Sequence, residues 1–248
     1  VRQVFGMIGG VATRLIDSMK SNGLEFVPFY HEQAAAYAAS AAAKYSRQLN
    51  VAVATSGPGA TNLITGIADA YFDSVPVLFL TGQVNTGDFK YERKVRQLGF
   101  QETDIVDIVK PITKYASLVD DSSNLVFEVR KAVSIAKSGR PGPVLLDLPM
   151  DVQNQFVETT ESNNTHNINR ISEEKTNLDL ARTVLEKMEQ SKRPLILCGG
   201  GCCDSSTKNL LLKFVEKYNI PVVVSLMGKD SFPNDHPLYS GFVGAYGN

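Results

Sequence analysis

The chain has 248 residues, of which 43% are hydrophobic and 21% are charged. This composition is typical of a soluble globular protein with one large domain or two smaller ones. The 25 basic and 26 acidic residues give a net charge of -1, so the charge balance favours neither nucleic acid nor an anionic membrane as a partner. No stretch approaches the ~18 apolar residues of a membrane-spanning helix.

The cysteines indicate the compartment. Cys198, Cys202 and Cys203 lie in one short segment. An odd number of cysteines so close together makes no disulfide framework and predicts a reducing compartment, for which we expect the cytoplasm. No histidine lies at the spacing of a zinc motif, so we expect these side chains to pack beside a glycine-rich turn, and we expect no metal ligands in the chain.

The first 150 residues alternate short apolar runs with helical patterns. Strands are predicted over Val4–Gly6, Phe26–Phe29, Val51–Thr55, Val75–Thr81, Lys114–Val119 and Val144–Leu148. Helices are predicted over Val11–Lys20, His31–Arg47, Thr61–Ala70 and Leu125–Lys137. Such alternation indicates a doubly wound α/β fold, in which helices flank a mostly parallel sheet on both faces. Ligands of such sheets bind at the carboxyl ends of the strands.

A second domain is predicted after a linker. Residues 153–176 are rich in Asn, Ser, Thr and Glu, which is typical of a linker. The alternating pattern then resumes with elements over Leu178–Gln190, Pro194–Cys198, Thr207–Asn219 and Val222–Ser225. We therefore expect a first domain over 1–152 and an incomplete second α/β domain over 177–248. The first residues read as a strand in progress, so we also expect more protein upstream, and more beyond Asn248.

Five short segments stand out in order along the chain. They are GMIGG from Gly6, HEQAA from His31, ATSGPGATN from Ala54, TGQV from Thr81 and GRPGPVLLDLP from Gly139. Together with RQLGFQETDIV from Arg96, they resemble the N-terminal, pyrimidine-binding domain of thiamine-diphosphate (ThDP) enzymes of the acetolactate synthase type. The resemblance covers essentially the whole chain, and the ordered set of motifs is far more specific than any one of them.

The resemblance identifies Glu32 as the catalytic residue. On sequence alone, a carboxylate that opens a helix after an apolar strand is explained by the helix macrodipole. In the resembled family, the matching glutamate hydrogen-bonds N1′ of the aminopyrimidine ring and so activates the cofactor, which performs the carbanion chemistry. We expect the neighbouring His31 to pack against the helix or to cap it.

The same resemblance implies further contacts with ThDP and substrate. Gly10, Pro58, Asn62 and Gln101 match cofactor-binding positions, and Gly10 also matches the position whose backbone approaches the reacting carbon. Phe100 and Gln101 match a Phe–Gln pair near cofactor and substrate. A glycine turn before a helix can also cradle phosphate, but the resemblance favours contact with the pyrimidine ring.

A flavin site is a further possibility that the sequence leaves open. The positions that match FAD contacts in flavin-containing members are Arg140, Gly199, Gly200, Gly201, Ser225 and Leu226. Glycine turns after a strand suit a dinucleotide pyrophosphate. Against this, a Met–His pair of the family reads Ala245–Tyr246 here, and many relatives keep the fold without the flavin.

Met150 departs from the pattern of branched-chain acetolactate synthases, which have lysine at this place. The lost charge puts in doubt that two pyruvates are the substrate pair. A relative that acts on a nucleotide-linked keto sugar in polysaccharide biosynthesis is the alternative that this departure favours.

The resemblance implies a ThDP-dependent transferase or lyase. It would decarboxylate pyruvate or a similar 2-oxo acid and transfer the acyl anion to a carbonyl acceptor. A simple decarboxylase or oxidase, and a non-catalytic binding subunit, are the alternatives. The Gly-Asp-Gly segment that holds Mg²⁺ and the diphosphate in this family lies in a C-terminal domain that this sequence lacks. We therefore expect the isolated chain to be inactive, and the active site to be shared with a second subunit in a homodimer or homotetramer.

Overall fold

The chain forms two compact units, Val1–Glu161 and Ser162–Asn248. The computed structural model describes residues 1–91, 93–157, 173–245 and 247, and only the backbone of residues 173–177. Most of the predicted linker, residues 158–172, lies outside the described residues.

The first unit is built on a parallel sheet. Its strands are β1 (Gln3–Gly6), β2 (Glu25–Pro28), β3 (Asn50–Ala54), β4 (Val77–Gln83), β5 (Tyr115–Leu118) and β6 (Val144–Pro149). In the described part of this unit they form one six-stranded sheet in the order β2-β1-β3-β4-β6-β5, and every neighbouring pair is parallel. Each strand begins and ends within two residues of its prediction.

Both faces of this sheet are buried. Successive side chains of a strand point to opposite faces, so one strand can contribute to an apolar cluster on each side. On β4, Val77 and Phe79 belong to one buried apolar cluster, whereas Leu78 and Leu80 belong to another. Consecutive apolar residues in a strand are typical of a parallel sheet that is covered on both sides. The structure therefore confirms the doubly wound α/β fold.

Helices cover the two faces. Those of the first unit are α1 (Thr13–Ser21), α2 (Glu32–Ser46), α3 (Pro58–Asn62), α4 (Ile64–Phe72), α5 (Ile105–Val109), α6 (Leu125–Lys137) and α7 (Met150–Gln153). Side chains of α2 and α4 join the cluster of Phe79, and side chains of α1 and α6 join the cluster of Leu80. In the described part of the chain, no helix combines the length and the apolarity needed to cross a membrane.

Helix α2 packs closely because it is rich in alanine. Its buried Ala36 faces Gly66 of α4, and a Cβ on Gly66 would lie 2.3 Å from the Cβ of Ala36. His31 caps the helix, since its Nδ1 accepts a hydrogen bond from the Gln33 N–H at 3.2 Å. The helix ends at Arg47, which has a left-handed backbone with φ of 55°.

One prediction in this unit was wrong. The single helix predicted over Thr61–Ala70 is two helices, α3 and α4, which are separated at Leu63. Pro58 occupies the first turn of α3, where its fixed φ and missing N–H suit a helix start. Helices α5 and α7, each under two turns long, were not predicted.

The second unit has its own parallel sheet. Its strands are β7 (Ile196–Cys198), β8 (Val222–Val224) and β9 (Tyr239–Phe242), in that order within the described residues. Its helices are α8 (Glu173–Gln190) and α9 (Ser205–Tyr218); α8 begins before the predicted start at Leu178. Strand β9 was not predicted. Its YSGF run is short, Gly241 within it has a positive φ, and its pairing with β8 is irregular.

One carboxyl group is buried in the first sheet. Asp147 on β6 is only 2% exposed, and it pairs in register with Thr81 on β4. Its Oδ1 accepts a hydrogen bond from the Thr81 hydroxyl at 2.6 Å, and its Oδ2 accepts one from Gln83 Nε2 at 2.8 Å. Burial raises the pKa of Asp147 to about 7, and the nearby Asp104 adds to the rise, although the two hydrogen bonds oppose it.

We expect the stability of the fold to depend on pH through Asp147. Its pKa is about 7 in the folded chain and ~3.9 in an unfolded one, so the folded chain binds more protons between these values. The free energy of unfolding should fall with rising pH in this range, by at most ~1.4 kcal/mol per pH unit. Urea denaturation between about pH 4.5 and about pH 7 should show this slope, and Asp147→Asn should lack it. Equal slopes would contradict the assignment.

The contact of α2 with α4 gives a second prediction. Gly66→Ala should lower the free energy of unfolding by ~1–3 kcal/mol, because the new methyl group overlaps Ala36. The better helix propensity of alanine offsets only ~0.5–1 kcal/mol of this cost. Gly87→Ala is the control, since a Cβ there meets nothing within 4 Å. Thermal denaturation measures both variants, and an equal effect of the two would refute close packing at Gly66.

Candidate active site

The loops that leave the carboxyl ends of β1 and β3 lie against each other at one edge of the sheet. A Cβ on Gly9, after β1, would lie 2.5 Å from the Thr55 Cβ, after β3. A Cβ on Gly59 would lie 2.7 Å from the Thr55 Cγ2. Glycine at both positions lets the two loops contact through Thr55, because a larger residue at either place would overlap that side chain.

Glu32 lies beside these loops with its carboxyl group buried. It is the first residue of α2 and is 7% exposed. Its Oε2 accepts a hydrogen bond from Asn62 Nδ2 at 2.9 Å. Its Oε1 lies 3.1 Å from the place that a Cβ on Gly59 would take. Among the described residues no donor is hydrogen-bonded to Oε1, so this oxygen faces the space that Gly59 leaves open.

The turn before α3 connects three of the predicted site residues. Gly57 has φ of +59°, and a Cβ on it would lie 2.7 Å from the Gln101 Cβ. Pro58 follows and starts α3, which carries Asn62 at its last position. The turn therefore brings Asn62 to Glu32 at one end and contacts Gln101 at the other.

Phe100 and Gln101 reach this edge from the loop after β4. Gln101 has a left-handed backbone with φ of 62°, which is uncommon for a residue other than glycine. Phe100 is 81% exposed. An aromatic ring so exposed next to a packed turn is available for contact with a ligand or another chain.

Gly10 is next to the site in the sequence, but there is open space around its Cα in the described structure. It opens a short 3-10 helix over Gly10–Ala12, and a Cβ on it would meet nothing within 4 Å. The close packing falls on the preceding residue, Gly9. The expected reason for glycine at position 10, a close approach to the reacting carbon, stays a prediction.

The residues matched to FAD contacts fall in both units. Arg140 belongs to the first unit, where its Nε donates to the Ser74 hydroxyl at 2.6 Å. In the second unit, Ser225 Oγ accepts from the Gly228 N–H at 3.2 Å and lies 4.0 Å from the place of a Cβ on Gly199. The turn of Gly199, Gly200 and Gly201 is thus adjacent to Ser225 and to the exposed Leu226. Their role in FAD binding stays a prediction.

Sequence reasoning missed a polar network behind the site. Gln83 Nε2 donates to Asp147 Oδ2 and to the Thr103 carbonyl, at 2.8 Å each. The two carboxylate oxygens of Glu102 accept from the N–H groups of Lys90 and Leu98, both at 2.7 Å. The signal was available, because Gln83 in TGQV and Asp147 in GRPGPVLLDLP are polar residues in largely apolar strands.

The arrangement suits proton transfer more than metal binding. Within the described ranges, no group of three or more His, Cys, Asp and Glu side chains could hold a metal ion. A buried carboxyl group with one oxygen fixed by an amide can share a proton through its other oxygen with a ring nitrogen of a ligand.

Two family matches cover most of the chain. Residues 1–108 match the N-terminal TPP binding domain of thiamine pyrophosphate enzymes, and residues 181–248 match the central domain of the same enzymes. Thiamine pyrophosphate is the same compound as ThDP.

Curated relatives match along the whole chain. It is 40% identical to the acetolactate synthase large subunit of Lactococcus lactis subsp. lactis (strain IL1403), covering 42% of that protein. It is 39% identical to the probable acetolactate synthase large subunit of Methanocaldococcus jannaschii and covers 41% of it. It is also 39% identical to acetolactate synthase 2, chloroplastic, of Zea mays and covers 38% of it. The chain thus spans about two fifths of the length of these relatives, and it belongs to the family of thiamine pyrophosphate enzymes.

Proposed function

We propose that this chain is the pyrimidine-binding part of a ThDP-dependent enzyme that decarboxylates a 2-oxo acid and joins the resulting acyl group to a carbonyl acceptor. The observation that carries the proposal is the buried Glu32, whose Oε2 is held by Asn62 while its Oε1 faces the space beside Gly59. The similarity to acetolactate synthases supports this reaction type.

The residues at this edge fit an aminopyrimidine ring. Such a ring is flat, so it needs a shallow space with a hydrogen-bonding group at one side. Gly59 leaves that space, since a Cβ there would approach Glu32 Oε1 and Thr55. Pro58 and Gln101 flank the same turn. ThDP, when bound, would supply the nucleophilic carbon and the electron-accepting ring that decarboxylation of a 2-oxo acid needs.

Glu32 would then act as the proton-sharing group. Its Oε1 would hold a proton toward N1′ of the ring, and the burial of Glu32 would strengthen that hydrogen bond. Asn62 keeps Oε2 occupied, so only Oε1 is left to face the ring. Gly10, Phe100 and Gln101 would lie near the substrate.

The remaining parts of the active site would belong to protein outside this chain. The diphosphate and Mg²⁺ would be held by a C-terminal domain of the complete protein. The active site would be shared with a second subunit in a homodimer or homotetramer located in the cytoplasm. The exposed Tyr37 and Tyr45 on α2 support such a contact, because aromatic rings are enriched in protein interfaces.

Met150 bears on the identity of the acceptor, because its side chain offers no charge to a second pyruvate carboxylate. Met150 starts α7 directly after β6 and is partly exposed. This favours a ketone with no carboxylate next to its carbonyl group, such as a nucleotide-linked keto sugar, as the second candidate acceptor. Product analysis with pyruvate alone and with an added keto sugar would separate the two.

FAD is the remaining cofactor proposal. The positions that match FAD contacts in the family support it, and in the second unit they form a glycine turn at 199–201 next to the capping Ser225. The visible absorbance of the purified complete enzyme tests this, since a bound flavin is coloured and ThDP is not.

Replacement of Glu32 tests the proposed function. In the complete enzyme, Glu32→Gln should lower turnover of the 2-oxo acid by ~10²-fold or more, because the amide cannot share a proton with the ring. Glu189→Gln on the exposed face of α8 is the control and should leave turnover unchanged. The measurements are product formation and the rate of hydrogen exchange at the reactive carbon of bound ThDP. Unchanged turnover in Glu32→Gln would overturn the proposal.

A further inference from the structure

The side-chain amide of Gln83 has a single orientation that suits its neighbours. Its Oε1 accepts from the Val84 N–H at 3.0 Å, and its Nε2 donates both to Asp147 Oδ2 and to the Thr103 carbonyl. A turned amide would place its oxygen against two acceptors and its NH₂ against a donor. Gln83 therefore connects the carboxyl group buried in the sheet to the backbone of the loop that follows Gln101.

The presence of a carboxyl group at position 147 is explained by its hydrogen bonds rather than by packing of the core. Burying a carboxyl group costs more than burying an apolar side chain of similar size, unless its oxygens are hydrogen-bonded. Both oxygens of Asp147 are bonded, one to Thr81 and one to Gln83. Thr81 and Gln83 are two residues apart on β4 and so point to the same face as Asp147.

The loop that follows β4 is fixed by hydrogen bonds just after Gln101, whose backbone conformation is unusual. Gln101 has a left-handed backbone, which is strained for a residue other than glycine and persists only where the surroundings impose it. Glu102 is anchored through both of its carboxylate oxygens, and the Thr103 carbonyl is anchored by Gln83. These two anchors follow Gln101 directly and fix the direction in which Phe100 and Gln101 leave the loop.

We propose that Asp147 is a positioning residue of the active site, which orients Gln83 and through it holds the backbone that presents Phe100 and Gln101. The inference rests on the proposed function, since it is there that these two residues lie near cofactor and substrate. Asp147 itself touches neither of them.

The link does not require Asp147 to be charged. A proton on Oδ1 would point to Thr81, whose hydroxyl can turn and accept it, while Oδ2 continues to accept from Gln83. An asparagine at position 147 can do the same with its NH₂ toward Thr81 and its oxygen toward Gln83. Asp147→Asn should therefore lose far less kcat/KM in the complete enzyme than Asp147→Ala, which removes the oxygen that accepts from Gln83.

Gln83→Glu should break the link. A carboxylate at position 83 cannot donate to the Thr103 carbonyl, and it meets the acceptor oxygen of Asp147. We expect kcat/KM for the 2-oxo acid to fall by about 10- to 100-fold, since a small displacement of substrate-positioning residues has effects of this size. The thermal unfolding midpoint should fall as well.

The double variant Gln83→Glu with Asp147→Asn separates positioning from stability. The introduced amide at 147 can donate to the introduced carboxylate at 83, so the unfolding midpoint should recover much of the loss. The Thr103 carbonyl still lacks its donor, so the loss in kcat/KM should persist. Recovery of kcat/KM together with the midpoint would overturn the inference, because Asp147 and Gln83 would then serve the core alone.

Two further results keep the inference distinct from the proposed function. If Glu32→Gln abolishes turnover while Gln83→Glu leaves kcat/KM unchanged, the positioning role fails and the proposed function stands. If Glu32→Gln is fully active, the proposed function itself fails. Should Gln83→Glu not fold, Gln83→Met removes the same donor without adding a charge, and an unchanged kcat/KM in that variant would also overturn the role.

Discussion

The constraint on which this structure depends is a parallel sheet buried on both faces. Such a sheet accepts apolar side chains along its strands and leaves the ends of the strands as the place for polar groups. Glu32, Thr55 and Gln83 all lie at or just after the carboxyl end of a strand. Because the strands are parallel, these ends meet at one edge, and groups far apart in sequence come within hydrogen-bonding distance.

Much of this could be predicted from the sequence, because strand and helix patterns are local. The apolar run of β4 and the alanines of α2 give the fold directly, and Glu32 opens a helix at the expected edge. The bond of Glu32 to Asn62 could not be derived from pattern alone. It joins the start of α2 to the end of α3, 30 positions apart in the sequence, and the local pattern did not show that α3 ends at Asn62.

The polar network was harder to predict for the same reason. Gln83 and Asp147 are 64 positions apart, and nothing local shows that a carboxyl group on β6 will find an amide on β4. Only the register of the sheet, with Thr81 opposite Asp147, brings them together. A polar residue in an apolar strand signals that a partner exists, but the strand order decides which one it is.

Glu32 and Asp147, two of the buried carboxyl groups of the first unit, differ in their bonding, and this separates their roles. Both oxygens of Asp147 are filled by donors of the protein, so its proton, when present, stays within the sheet. Glu32 has one oxygen filled by Asn62, and the other faces space beside a glycine. A carboxyl group can exchange a proton with a ligand only through an oxygen that the protein leaves open. The arrangement therefore favours Glu32 for chemistry and Asp147 for support, although both carboxyl groups are buried in the same unit.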